Sequence, residues 1–125
     1  MLKVVGARGG RPRVLAAPGG DIWCVYPAWS PDGHLIAFAE EDISGSDNLA
    51  GDRFIGLSVV HPNGSGLASL SAPIQSNESI GYRPYLPPFS WSPDGRIILG
   101  GDGAETYPLI IVNADGSHQQ RITQR

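Results

Sequence analysis

The pentapeptide Trp-Ser-Pro-Asp-Gly occurs twice, at 29–33 and again at 91–95, sixty-two positions apart. Each copy runs into an apolar stretch, Leu35-Ile36-Ala37-Phe38-Ala39 in the first and Ile97-Ile98-Leu99 in the second. An identical motif in matching context marks a repeated structural unit, and 125 residues leave room for only a few such units. The motif's chemistry says what the unit is. A type I turn takes Ser at its first position, Pro at its second, where φ is already about −65°, and Gly at its fourth. That Gly then adopts positive φ and closes a hairpin through a bulge. Ser30, Pro31, Asp32 and Gly33 meet these requirements, as do Ser92, Pro93, Asp94 and Gly95.

A second turn element occurs three times. Val59-Val60-His61-Pro62-Asn63-Gly64 matches Ile111-Val112-Asn113-Ala114-Asp115-Gly116 and, more loosely, Val4-Val5-Gly6-Ala7-Arg8-Gly9. Each leads into a further short run: Val14-Leu15, Leu67 to Leu70, and Ile122-Thr123. The chain thus encodes five hairpins of two alternating kinds, or ten strands. With the Trp-bearing hairpin as strands a and b and the other as c and d, the order is c–d, then a–b–c–d twice. Seventeen Gly and eleven Pro leave no stretch of helical length with a 3.6-residue apolar period, which excludes a helical bundle. The fold expected is all-β, a partial β-propeller of about two and a half four-stranded antiparallel blades. Residues 1–125 would form one unit, with an outer hairpin at 1–16, a full blade at 23–71 and a second at 86–124.

The two WSPDG copies, each followed by an IAF-like strand and an IVNADGS-type hairpin, resemble the repeats of TolB-type β-propellers. Similar repeats build the propeller domains of dipeptidyl-peptidase, prolyl-oligopeptidase and tricorn-type proteases. The resemblance covers about residues 3 to 123. It implies a repeat scaffold or protein-binding module, or alternatively a piece of the propeller that gates substrate entry to a prolyl-oligopeptidase-type serine peptidase. The chain departs from the family in blade count, because a closed ring needs at least four. It is expected to be part of a longer propeller or a free-standing stack, and open strand edges would permit self-association.

Motifs for chemistry are sparse. No G-x-S-x-G elbow occurs, and Gly64-Ser65-Gly66 is the end of a turn. His34, His61 and His118 lie in or beside turns without metal-ligand spacing. Gly6-Ala7-Arg8-Gly9-Gly10-Arg11 lacks the Lys-Ser/Thr of a phosphate loop and matches the other turns in position. Cys24 is the single cysteine, so neither an internal disulfide nor a multi-cysteine metal site is expected. We therefore expect no enzyme activity, no cofactor and no metal. Eight Arg and one Lys against twelve acids (net charge −3) argue against a nucleic-acid partner. No apolar run approaches the ~20 residues of a membrane span, and MLKVVGARGG is not a secretory signal. The chain as written is thus expected to stay where it is made, whereas the resemblance implies an extracytoplasmic site for a longer parent.

Loop lengths suggest where recognition occurs. Gly33 to Gly64 spans 31 positions against 21 from Gly95 to Gly116, which points to about ten extra residues in the first b–c loop. Nine of the twelve acids fall in b–c or d–a segments, at the end opposite the turns. A candidate site for a basic peptide or protein is therefore Glu40, Glu41, Asp42, Asp47 and Asp52, flanked by Trp23, Tyr82, Tyr85 and Tyr107. Trp29 and Trp91, at equivalent positions, are expected to be wedges between adjacent blades, and Asp32 and Asp94 to bond backbone N–H groups in their own turns.

Overall fold

A computed structural model describes residues 1–42, 53–70, 89–100 and 109–121. The described residues form ten strands and no helix: β1 (Leu2–Val4), β2 (Arg13–Ala16), β3 (Ile22–Trp29), β4 (Ile36–Asp42), β5 (Arg53–Val60), β6 (Ala68–Ser69), β7 (Phe89–Trp91), β8 (Arg96–Gly100), β9 (Leu109–Asn113) and β10 (Gln120–Arg121). They make three antiparallel sheets, none closed on itself: β1–β2, the meander β3-β4-β5-β6, and the meander β7-β8-β9-β10. The two meanders share strand order, turn type and register. Trp29 stands across from Ile36 and Trp91 from Ile97; Ile36 pairs with Val60 and Ile97 with Val112.

The middle sheet is buried on both faces. Along β4, Ile36 and Phe38 pack with Val60 from β5 and with Leu2, Leu15 and Ala16 of the first hairpin. The alternate residues, Ala37 and Ala39, join Leu57 and Val59 against Phe89, Ile97, Leu99, Ile110 and Val112 of the third sheet. Since successive residues of a strand point to opposite faces, four consecutive buried residues mean a sheet sandwiched between two others.

Two irregularities bend the middle sheet. The ladder between β3 and β4 skips from Val25 to Ala28, and Tyr26 there takes a positive φ of 54°. The cause is Pro27, which has no N–H to give to a ladder. A second register shift separates Glu40 from Glu41 in the pairing of β4 with β5.

One expectation about loops is corrected. Of the ten extra residues between Gly33 and Gly64, five lengthen strands. β4 and β5 have 7 and 8 residues, whereas β8 and β9 have 5 each. The connection between β4 and β5 covers positions 43–52, only two more than positions 101–108 between β8 and β9. Added residues that extend a ladder gain backbone hydrogen bonds between the strands, which a longer loop would not provide.

Candidate functional site

The two kinds of turn close by shared hydrogen-bond patterns. Gly33 N–H donates to Ser30 O at 2.9 Å and Gly95 N–H to Ser92 O at 3.0 Å. The buried Ser30 hydroxyl donates to Asp32 Oδ1 (2.7 Å) and accepts from Leu35 N–H (3.0 Å). Ser92 likewise donates to Asp94 and accepts from Arg96 N–H at 3.0 Å. The outer turns follow one plan as well: Gly64 N–H donates to His61 O and Gly116 N–H to Asn113 O, each at 2.9 Å, while Asn63 and Asp115 accept from the N–H groups of Ser65 and Ser117. Gly33, Gly64, Gly95 and Gly116 all have φ between 76° and 90°. Gly9 N–H donates to Gly6 O at 2.8 Å, so the glycine-rich segment is a turn of the same family. His61 Nδ1 lies 2.9 Å from His34 O, which ties an inner turn and an outer turn together at one end of the sheet.

These turns confine their aspartates to structural work. The Ser30 hydroxyl and then the His34 N–H hold the Asp32 carboxyl below its ordinary value. Ser92 and then Arg96, which also forms a 2.9 Å ion pair, do the same for Asp94, and Ser117 does so for Asp115. A carboxyl depressed on folding contributes stability that is present above its unfolded value and lost as pH falls through the folded one. Acid unfolding followed by circular dichroism should therefore steepen below about pH 3.8, the ordinary aspartate value. The variant D32N/D94N/D115N should show a shallower acid loss than the parent chain. The same slope in both proteins would mean that the turn carboxylates do not govern acid sensitivity.

At the other end of the middle sheet, the acids expected in a solvated loop are in a strand. Glu40, Glu41 and Asp42 belong to β4, across the ladder from Cys24, Trp23 and Ile22. Glu41 is buried at 4% exposure, and Glu40 and Asp42 are half-buried. The lengthened ladder accounts for this, since it carries the chain three residues further as strand than the loop expectation allowed. Trp23 is exposed over 54% of its surface. Asp47, Asp52, Tyr82, Tyr85 and Tyr107 lie outside the described residues.

The two motif tryptophans also differ. Trp91 is half-buried against the core between the meanders, and its indole N–H donates to Ala28 O of β3 at 3.0 Å. Trp29, at the equivalent position, is 52% exposed. The equal wedge expectation is thus corrected for Trp29. Trp91 reaches the first strand of a four-stranded neighbour, whereas the neighbour on the Trp29 side is the two-stranded β1–β2 sheet, which supplies no such strand.

A cleft of about 310 Å³ opens between the first hairpin and the middle sheet. Ala16, Ala17 and Pro18 line it from the hairpin side, Phe38, Glu40 and Ser58 from β4 and β5, Ser69 from β6 and Leu67 from just before β6. The buried Ser58 hydroxyl donates to Glu40 Oε1 at 2.5 Å. Burial raises the neighbouring Cys24 thiol above its ordinary value; the Met1 amino group opposes this shift and Glu40 adds to it. No family model matches this chain, and comparison with curated proteins gives no significant match.

Sequence reading missed this cleft, although the repeat held a signal for it. Ser58 occupies the place where the second meander has Ile110, each across from the aromatic or aliphatic residue of the inner hairpin, Phe38 or Leu99. A polar residue at an apolar repeat position marks a local task. Among the described residues, no group of three or more His, Cys, Asp or Glu side chains could hold a metal ion, and no helix is long and apolar enough to cross a membrane.

Proposed function

We propose that the chain is a non-catalytic module of TolB-type propeller repeats, part of a partial propeller, which binds a protein or peptide. Two meanders built from the same turns in the same register support the repeat reading. The observation that carries the binding reading is Trp29. Its counterpart Trp91 is anchored against a neighbouring sheet, whereas Trp29 presents half of an indole to solvent. An exposed tryptophan offers a large, rigid apolar surface with one N–H donor, which is the chemistry enriched at the centre of protein interfaces.

An array of extended peptides, scored by intrinsic tryptophan fluorescence, tests this reading. Bound peptides should shift the emission to shorter wavelength, and the shift should disappear in Trp29→Phe. A shift that survives in Trp29→Phe, or no shift with any peptide, would count against binding at this face. Peptide hydrolysis by the purified chain would overturn the non-catalytic part.

A further inference from the structure

We propose that the cleft between the first hairpin and β4–β6 is a pocket for a cationic side chain, the ammonium of a lysine or the guanidinium of an arginine presented by a peptide. The inference rests on the peptide-binding reading for the kind of ligand and on the cleft alone for the place. At about 310 Å³ the cleft is the size of a small recognition pocket, too small for a folded partner. Its lining pairs apolar groups with one ionisable residue. Ala16, Ala17, Pro18 and Leu67 suit the methylene stem of a long side chain, and Glu40 is the charged group among the described lining residues.

The carboxylate is held for the purpose. Ser58, at 4% exposure, donates its single hydroxyl proton to Glu40 Oε1. Glu40 itself lines the cleft, so its carboxylate is within reach of a side chain that enters there. A carboxylate anchored from within by a buried hydroxyl and lining an open cleft is arranged to accept a charged donor. Among the described lining residues there is no lysine, arginine or histidine, and the chain carries a net charge of −3. The Met1 amino group, which acts on Cys24 across the ladder from Glu40, is a cation of the chain itself that an incoming side chain would meet nearby. Cys24, across the ladder from Glu40, stays a neutral thiol because burial holds it above its ordinary value. It therefore does not compete for the cation as a second anion.

The test is an NMR titration of the full chain with three blocked tripeptides, acetyl-Ala-X-Ala-amide with X as lysine, arginine or norleucine, beside n-butylammonium as the headgroup and stem without a peptide. Lysine and arginine peptides should give saturable shifts at the amides of Ala17, Ser58 and Leu67, and the norleucine peptide should not. Binding of n-butylammonium as tight as that of the lysine peptide would assign the pocket to free amines and overturn the peptide part. Glu40→Gln keeps the shape and an acceptor for Ser58, and should weaken binding about tenfold or more without lowering the melting temperature. Ala17→Arg, at the exposed rim, should block the pocket with a cation from the chain itself, and it keeps the test open if Glu40→Gln folds poorly. Equal affinity for norleucine, insensitivity to both variants, or no shifts at all would overturn the pocket. Shifts confined to Trp29 would overturn it too, while upholding the peptide-binding reading; cleft shifts with a silent Trp29 would place binding in the pocket and refute the Trp29 face.

Discussion

Replacing Phe38 with alanine is expected to cost about 3–5 kcal/mol of stability, the range for removing a buried aromatic ring. Phe38 is 1% exposed and packs with Ile36 and Val60 of its own sheet and with Leu2, Leu15 and Ala16 of the first hairpin. A two-stranded sheet is marginal by itself in water, so β1–β2 depends on this contact more than the meanders do. Chemical denaturation would give the global cost, and hydrogen exchange would show where it falls. Protection of the amides in Leu2–Val4 and Arg13–Ala16 should drop before that of β4 and β5. A cost below about 1 kcal/mol, within the usual spread of unburied sites, would mean that the hairpin is not seated on the middle sheet.

The motif tryptophans should separate sharply in the same measurement. Trp91→Ala is expected to cost about 2–4 kcal/mol, somewhat under the fully buried range because the ring is half-buried. Trp91→Phe, which keeps most of the apolar surface and removes the N–H donated to Ala28 O, should cost about 0.5–1.5 kcal/mol. Trp29→Ala should stay within about 1 kcal/mol, as for an exposed site. Two residues followed by the same Ser-Pro-Asp-Gly would then differ severalfold in effect. Equal costs at positions 29 and 91 would refute the assignment of one as an internal link and the other as an open contact.

Turn chemistry made most of the architecture legible in the sequence, because Ser-Pro-Asp-Gly and Asn-Ala-Asp-Gly act through local φ preferences and short-range hydrogen bonds. The hairpins at Gly33, Gly64, Gly95 and Gly116 appear where those residues put them. Strand length was less legible. It depends on whether a ladder residue finds packing on both faces, and that is set by sheets distant in sequence; Glu40 to Asp42 therefore looked like loop acids and are strand. The asymmetry of Trp29 and Trp91 was hidden for a similar reason, since a side chain's exposure depends on what stands opposite. The cleft required Ser58, Glu40 and the end of β2 to meet, and only the stacking of separate sheets brings them together.

Burial of the middle sheet on both faces has a consequence for how it finds its alignment. A sheet with one wet face is aligned by polarity, because a slip of one residue would carry its apolar side chains into water. Here a one-residue slip of β4 would exchange Ile36 and Phe38 for Ala37 and Ala39, one buried apolar set for another. The misaligned strand would leave a void on one side and a collision on the other, and both cost stability. In this chain the alignment of β4 is encoded by the bulk of alternate side chains, large toward the first hairpin and small toward the third sheet.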